Sequence, residues 1–304
     1  MKTIIFLNAR AGAGRVTRRF ETLAPVLRER FGHYRLVVTT EVTEVEAHLA
    51  SAAQEGYDTV IAVGGDGTNR VLVNAMRQTG HDFIFGTLPL GTGADWARGL
   101  GMPADPQAAQ WLARAEVRPV DLGRVTIDGE SSLFLNVAGT GLSGEVSRRV
   151  NSAKVRRPWS YLLATVGALL QSSPPRMRVS LHGEAWYEGD ACLLAVGNGR
   201  IFGRGMKICP DAIINDGLFD VVLVEGKSTL ELLLALPTLF NGTHIERDDV
   251  HVRRARHVLV EALGAALDVD MDGESGRGRR VEFDILPGAL PMLVDPTAEV
   301  IVGK

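Results

Sequence analysis

Three β-type runs in the first third of the chain are each followed by a glycine-containing loop, and this pattern constrains the fold more than any other feature. The runs are Thr3–Leu7, Thr59–Val63 and Phe83–Leu88, and a further run at Leu36–Thr39 lies between the first two. Helical patterns separate them, which predicts a parallel sheet with crossover connections. All three loops then leave the carboxyl edge of that sheet, where open α/β sheets bind ligands.

After about Val120 the chain changes to short β-type runs punctuated by Gly, Asp and Asn. The helical segments there are few, mainly Trp159–Gln171 and Thr229–Phe240. This pattern predicts a β-sandwich-like second domain, and a length of 304 residues suits two domains. We predict an α/β domain at 1–128 and a β-rich domain at 129–289, with the tail 290–304 returning to the first.

Composition excludes several classes of protein. The net charge of −3 provides no basic field for nucleic acid. Two cysteines cannot build a disulfide framework, so a cytoplasmic location is expected. The longest apolar runs, Tyr161–Leu170 and Leu230–Phe240, fall short of the roughly 20 residues that cross a bilayer. We therefore expect no transmembrane segment.

The three loops run over Asn8–Arg15, Gly64–Thr68 and Leu88–Asp95. Glycine lets backbone N–H groups approach a phosphate closely, and a following helix N-terminus adds positive potential. Any one loop alone is equally well explained as a tight strand-to-helix turn capped by Asp or Thr. Three such loops at one sheet edge favour a nucleotide site, and Asp66 is placed to hold a magnesium ion there.

Six ordered segments of the chain resemble motifs of the diacylglycerol-kinase-like lipid kinases, especially the soluble bacterial branch that is similar to sphingosine kinases. They are GGDGT at 64–68, PLGTGADWARGLG at 89–101, VDLG at 120–123, FLNVAGTGLSGEV at 134–146, the segment 197–224 and MDGE at 271–274. With the first loop, the matches extend from Asn8 to about Glu274, which is nearly the whole chain.

The resemblance implies an α/β nucleotide-binding domain followed by a β-sandwich-like lipid-substrate domain, with the active site in the cleft between them. It implies an ATP- and magnesium-dependent kinase that phosphorylates a lipid alcohol, with diacylglycerol as the first candidate. The substrate would lie in a membrane that the protein touches peripherally, at its inner face, and a homodimer is a further expectation. The alternatives are a kinase of a sphingoid base or NAD, and a nucleotide- or lipid-binding protein without catalysis.

Carried over by motif, three acids would surround the catalytic magnesium, directly or through water: Asp66, Asp95 and Asp121. A second, structural magnesium would map to Asp216 and the backbone carbonyls of Ile213 and Leu218. The resemblance also implies a set of nucleotide-contacting positions. They are Asn8, Gly12, Gly14, Thr40, Gly64, Gly65, Gly67, Thr68, Gly91 and Thr92.

In the late Asp272-Gly273-Glu274 motif, the resemblance makes one acid the general base and the other its supporting partner, without saying which. Asp-Gly between apolar runs is also a strong hairpin-turn signal, and the two interpretations are compatible.

The chain departs from the family pattern at two places. Asn69 is displaced by one position with no Glu after it, and Ala94 stands where an Asn is usual.

Two basic groups have two interpretations each. A basic–aromatic cluster, formed by Lys154, Arg156, Arg157, Trp159 and Tyr161, suits an anionic membrane surface. It equally suits a solvated charge run before a core helix. The arginines at 277, 279 and 280 either attract lipid headgroups or keep a hairpin soluble.

Overall fold

The computed structural model describes residues 1–14, 16–40, 42–91, 93–152, 167 and 174–301. The predicted helix Trp159–Gln171, apart from residue 167, and the whole basic–aromatic cluster lie outside the described residues. The chain forms two compact units. Unit 1 comprises Met1–Asp121 and Gly288–Lys304, and unit 2 comprises Leu122–Pro287.

Unit 1 alternates strands and helices. Its strands are β1 Thr3–Asn8, β2 Arg35–Thr39, β3 Thr59–Gly64 and β4 Ile84–Pro89. Its helices are α1 Val16–Phe31, α2 Val42–Gln54, α3 Asp66–Thr79, α4 Asp95–Gly99 and α5 Gln107–Arg114, and a 3₁₀ turn spans Ala11–Gly14.

The sheet of unit 1 is parallel, with the strand order β2-β1-β3-β4. Every residue of β3 is buried, as expected for a parallel strand covered on both faces. A segment near the end of the chain completes the sheet, because Met292 pairs in parallel with Phe85 of β4. The loops after β1, β3 and β4 therefore leave the same edge.

Unit 2 is built mainly from antiparallel strands. The first strands are β5 Glu116–Ile127, β6 Glu130–Phe134, β7 Val137–Gly141, β8 Arg176–Leu181, β9 Glu184–Gly197 and β10 Phe219–Glu225. The later ones are β11 Val250–Ala255, β12 His257–Ala262, β13 Leu267–Met271, β14 Glu274–Gly278 and β15 Arg280–Val294. Helices α6 Leu142–Ser152 and α7 Thr229–Asn241 and a 3₁₀ turn at Thr243–Glu246 accompany them. Strands β5 and β15 each continue across the boundary between the units.

Two sheets in unit 2 share the long strand β9. One has the order β14-β13-β7-β9-β10-β11, and the other runs β9-β8-β12-β15-β5-β6. Aromatic side chains from both sheets pack in the core between them. The ring of Phe134 stacks on Phe219 at 5.6 Å and meets Phe283 edge-on at 6.3 Å.

The predicted fold class is confirmed: an α/β domain with a parallel sheet precedes a β-sandwich-like domain. One element of unit 2 was not predicted. Helix α6 begins in the glycine-rich segment Gly139–Gly144, whose letters indicate a loop. The expectation of an active site between the two domains stays a prediction.

Candidate functional site

The three glycine loops of unit 1 meet one another. Asn8, at the end of β1, donates from Nδ2 to Thr68 Oγ1 at 3.0 Å. The N–H of Gly91 donates to the carbonyl of Gly64 at 2.8 Å. A Cβ atom added at Gly12 would lie 2.8 Å from the carbonyl oxygen of Leu90, so the first and third loops are also in close approach. The structure thus brings together the loops that the sequence predicts as a nucleotide site.

Glycine is required where these loops touch. A Cβ atom at Gly65 would lie 2.6 Å from the carbonyl oxygen of Gly93, and one at Gly91 would lie 2.7 Å from the nitrogen of Gly65. Gly67 is different, because a Cβ atom there would have no neighbour within 4 Å. Its glycine is therefore not explained by packing, whereas an approaching phosphate group would explain it.

Asp66 joins two helix N-termini. It occupies the first position of α3, and its carboxylate reaches the start of α4. Its Oδ2 accepts the N–H of Asp95 at 3.0 Å and its Oδ1 accepts the N–H of Trp96 at 3.1 Å. Free N–H groups at a helix N-terminus favour an acceptor of this charge. The contact brings the two predicted magnesium ligands, Asp66 and Asp95, side by side.

The other contacts of these acids are local. The carboxylate of Asp95 is nearly buried and forms an ion pair with Arg98, one turn along α4. Asp121 is 1% exposed and accepts the N–H of Gly288 at 2.7 Å. Within the described ranges, no three His, Cys, Asp or Glu side chains form a ready-made metal cluster. Hard carboxylate oxygens nevertheless fit magnesium, which usually takes one or two protein carboxylates and completes its shell with water and phosphate oxygens.

Three further predicted nucleotide positions are Gly14, Thr40 and Thr92. Gly14 ends the 3₁₀ turn Ala11–Gly14 after β1. Thr40 follows β2, and its N–H donates to Glu44 Oε2 at 3.0 Å. Thr92 lies outside the described residues. The displaced Asn69 has a structural contact, because it is 3% exposed and accepts the hydroxyl of Thr87 on β4 at 2.9 Å.

In unit 2, Asp272 and Gly273 form the two-residue turn between β13 and β14. Their φ angles are +51° and +88°, the conformation that favours Asp-Gly in tight hairpins. The Asp272 carboxylate accepts three successive backbone N–H groups, those of Leu135 at 2.6 Å, Asn136 at 3.0 Å and Val137 at 3.1 Å. The acid therefore holds the segment between β6 and β7 in place.

Two buried asparagines extend this arrangement to a third motif. Asn136 donates from its side chain to the carbonyl of Ile201 at 2.7 Å, and Asn198 donates to the carbonyl of Leu135 at 2.8 Å. The segments that resemble separate family motifs are thus one hydrogen-bonded unit in space. Glu274, at the start of β14, differs from these residues: it is exposed, and no described residue forms a hydrogen bond or ion pair with its carboxylate.

Asp216 is predicted to hold the structural magnesium, and its carboxylate has two contacts. Oδ1 accepts the N–H of Leu218 at 3.0 Å, and Oδ2 forms an ion pair with Arg254. Arg254 also lies 3.8 Å from Asp220, a buried acid whose pKa is raised to about 6 by burial and by Asp211. The guanidinium already supplies positive charge here, so the second magnesium at Asp216, Ile213 and Leu218 stays a prediction that competes with an ion pair.

Unit 2 contains two adjoining hollows beside α7. A cavity of about 400 Å³ is bordered by Leu142, Cys192 and Leu232 together with polar groups such as Lys227. A narrower, largely apolar cleft continues beneath α7, where Leu236 and Leu239 form part of the lining. The apolar lining of the narrower cleft favours an apolar group over a polar one.

Two arginines that contact the predicted sites were not predicted from the sequence. Arg19 of α1 donates to the carbonyl of Leu90 at 3.2 Å and to Asp105 at 2.9 Å, and so supports the third loop. Arg254 pairs with Asp216 across 38 positions of sequence. Neither arginine stands in a motif, and each partner is brought close only by the fold, so no local signal marks them.

No helix in the described part of the chain combines the length and apolar character needed to span a bilayer.

Comparison with known proteins gives two family matches. Residues 2–125 match the diacylglycerol kinase catalytic domain, and residues 136–294 match the YegS C-terminal NAD kinase beta sandwich-like domain. A diacylglycerol kinase of Mycobacterium tuberculosis is 35% identical over 272 residues, covering 86% of each chain. A protein of Pseudomonas aeruginosa named probable lipid kinase YegS-like is 34% identical over 272 residues, covering 86% of this chain and 87% of its own. A solved structure from Bacillus anthracis strain Sterne is 25% identical, covers 97% of each chain and superposes with a TM-score of 0.79.

Proposed function

The chain belongs to the diacylglycerol-kinase-like, YegS-like family of lipid kinases, and from that membership we propose that it transfers the γ-phosphate of ATP to the hydroxyl group of a lipid alcohol, first of all diacylglycerol. The observation that carries the nucleotide half of this proposal is the meeting of three glycine loops at one edge of a parallel sheet, where Asp66 connects the second loop to the start of α4. Phosphoryl transfer depends mainly on positioning and on neutralising charge.

Unit 1 is suited to bind the triphosphate. The start of α3 follows the second loop directly, and Gly67 leaves open space beside it for a phosphate group. Asp66 and Asp95 would hold magnesium, which when bound would neutralise phosphate charge during transfer. Asp121 is proposed to act with them through water. Asn8 and Thr68 would keep the first two loops in register while the nucleotide is bound.

Unit 2 supplies the acid that accepts the proton of the attacking hydroxyl. We assign this role to Glu274, because its carboxylate is exposed at the start of β14. Asp272 is less available, since three backbone N–H groups already occupy its oxygens. Asp272 would instead position the turn, so the proposal gives each acid of the motif one role. A base contributes by removing the proton as the oxygen attacks.

The lipid half of the proposal rests on α7 and the hollows beneath it. One face of α7 borders the apolar cleft, where an acyl chain would be shielded from water. The opposite face exposes Leu230, Leu234 and Phe240, which are 67%, 72% and 48% exposed. Lys227 precedes this helix. In the last turn of the helix, the carbonyl of Leu239 accepts the backbone N–H of Lys207 at 2.7 Å. An apolar stripe that begins beside a lysine fits the surface of an anionic bilayer.

The test is transfer of labelled γ-phosphate from Mg·ATP to diacylglycerol and a sphingoid base in vesicles and to NAD in solution. We expect labelled diacylglycerol with the wild-type protein. Glu274→Gln should lower kcat by about 10²–10⁴-fold, the usual contribution of a general base. Asp66→Asn should abolish transfer through loss of magnesium binding. Glu184→Gln, at an exposed acid of β9 in the same unit, serves as the matched control and should retain wild-type rates.

Other outcomes would redirect the assignment. Label in NAD alone would make the protein a kinase of a soluble substrate. Label in the sphingoid base alone would keep the reaction and change the lipid. ATP binding without any labelled product would contradict the kinase proposal. Full activity of Glu274→Gln together with an inactive Asp272→Asn would reverse the roles of the two acids.

A further inference from the structure

A third acid lies on the same strand as the Asp272–Glu274 turn, and the proposed reaction does not use it. Asp270 of β13 is 5% exposed. Its carboxylate accepts the hydroxyl of Ser147 on α6, which is itself 2% exposed, and the backbone N–H of Gly273 in the turn. Asp270 therefore links α6 to Gly273, the residue that precedes Glu274.

Helix α6 is fixed against this strand. A Cβ atom at Gly144 would overlap the backbone of Asp268 and Val269, so only glycine allows α6 to lie this close to β13. Thr140, at the end of β7, donates its hydroxyl to the carbonyl of Asp268 at 3.0 Å. The Ser147 hydroxyl is thus carried on a helix that packs closely against β13.

Among the described side chains, the charged groups around Asp270 are few. On the turn and on β14 they are Asp272 and Glu274, whose negative charges oppose its ionisation. Arg277 of β14 lies 3.9 Å from Asp268 instead. Strand β7, paired with Asp270 at Gly139, has no titratable residue. Among the described side chains of α6, Ser147 is its donor, and Glu145 borders the cavity.

Burial raises the pKa of Asp270 to about 7, with the Ser147 hydroxyl acting in the opposite direction. A buried acid facing two other acids costs stability that an amide or apolar side chain would not. Such unfavourable placements are characteristic of functional sites. The ionised carboxylate can accept both donors at once, whereas the protonated acid gives up one acceptor position to its own hydrogen.

We propose that Asp270 is a positioning residue for phosphoryl transfer, whose ionised carboxylate holds the Gly273 N–H and thereby keeps the turn, and with it Glu274, in the working geometry. The proposal rests on the role assigned to Glu274 above. Loss of the charge on Asp270 loosens the Gly273 contact, so Glu274 moves away from the hydroxyl it serves. Turnover then depends on the ionisation of a group that never touches the substrate.

The pH profile of kcat tests this, with diacylglycerol in vesicles and saturating Mg·ATP. The wild type should gain activity through pH 7, where Asp270 ionises. Asp270→Asn should lose this rise, with kcat at pH 8 about tenfold lower and KM for ATP unchanged, because only the position of the base is affected. Ser147→Ala should move the rise to higher pH, since the bond that favours ionisation is gone. Ser275→Ala, the cross-strand partner of Asp270, is the control and should keep the wild-type profile.

The amide proton of Gly273 provides a readout that needs no activity. Its NMR shift should titrate near pH 7 in the wild type, not at all in Asp270→Asn, and at higher pH in Ser147→Ala. A wild-type amide that does not titrate overturns the proposal, and so does an active Asp270→Asn with an unaltered profile. If Asp270→Asn does not fold, the shift of the Ser147→Ala titration decides. A wild type that labels no lipid contradicts the proposed function, and the amide titration still tests the positioning role.

Discussion

At the scale of single residues, two acids of the predicted site accept hydrogen bonds from backbone N–H groups. Asp66 caps the start of α4, and Asp272 caps three N–H groups of the segment 135–137. The sequence predicted the Asp-Gly hairpin turn, because its positive φ angles have a local cause. It could not predict the Asp66 contact, whose partner lies 29 positions away and is brought close by strand pairing.

Alanine variants of Gly67 and Gly65 distinguish an effect on ATP binding from an effect on the packing of the loops. Gly67→Ala adds a methyl group where no neighbour lies within 4 Å. In the first turn of α3 the change should raise the free energy of unfolding by about 0.4–1 kcal/mol, because it restricts the unfolded chain. We expect it to raise KM for ATP about tenfold, since the phosphate can no longer approach the backbone.

Gly65→Ala is the contrasting variant. Its methyl group would lie 2.6 Å from the carbonyl oxygen of Gly93, so the second and third loops must separate. We expect a lower midpoint of thermal unfolding as well as weaker ATP binding. Chemical denaturation and ATP titration of the two variants check both statements. Unchanged ATP binding in a stabilised Gly67→Ala would remove Gly67 from the nucleotide site.

At the scale of elements, strands such as β13 were predictable and the helix α6 was not. Alternation in β13 places Leu267, Val269 and Met271 on one face, and these residues are buried in the core as period two requires. The same alternation would expose Asp270, yet α6 covers it. The glycines of 139–144 obscure this helix in the sequence, because they are required by close packing against other strands. Gly139 and Gly141 approach β9 and Gly144 approaches β13, a tertiary requirement without a local signature.

Helix α7 has two apolar faces, and the outer one leads to a prediction about membranes. Leu230→Glu combined with Leu234→Glu should weaken binding to anionic vesicles at least about tenfold, because each leucine contributes roughly 1.5–3 kcal/mol when buried in hydrocarbon. Vesicle sedimentation measures the effect. Leu263→Glu, at a leucine that is 37% exposed outside α7, is the matched control. Equal binding by the wild type and the double variant would show that this face does not contact lipid.

At the scale of the whole molecule, two buried acids make stability depend on pH in an uncommon direction. The pKa values of Asp220 and Asp270 are raised to about 6 and about 7, above the value of about 3.9 for an unfolded Asp. Between pH 4 and 7 the folded chain therefore holds more protons at these sites, and their contribution to the free energy of unfolding falls as pH rises. His244, whose pKa is lowered by burial, acts in the opposite direction below its usual range.

Comparison with a variant isolates this effect. Asp270→Asn removes the cost of ionising a buried acid, so its Tm relative to the wild type should increase between pH 5 and pH 8. Differential scanning calorimetry at the two pH values measures the change. Glu184→Gln, an exposed acid in the same unit, should follow the wild type at both. A constant difference between Asp270→Asn and the wild type would contradict the raised pKa.

The division of the chain has a consequence for its synthesis on the ribosome. Unit 2 is one uninterrupted stretch, whereas unit 1 is made of the first 121 residues and the segment from 288 onward. Domains fold as their residues emerge, so unit 2 can acquire its core while the sheet of unit 1 still lacks the strand that pairs with Phe85. Unit 1, begun first, is the last to be finished. Under the proposed function, a nascent chain would therefore complete the lipid-substrate unit before it could bind ATP.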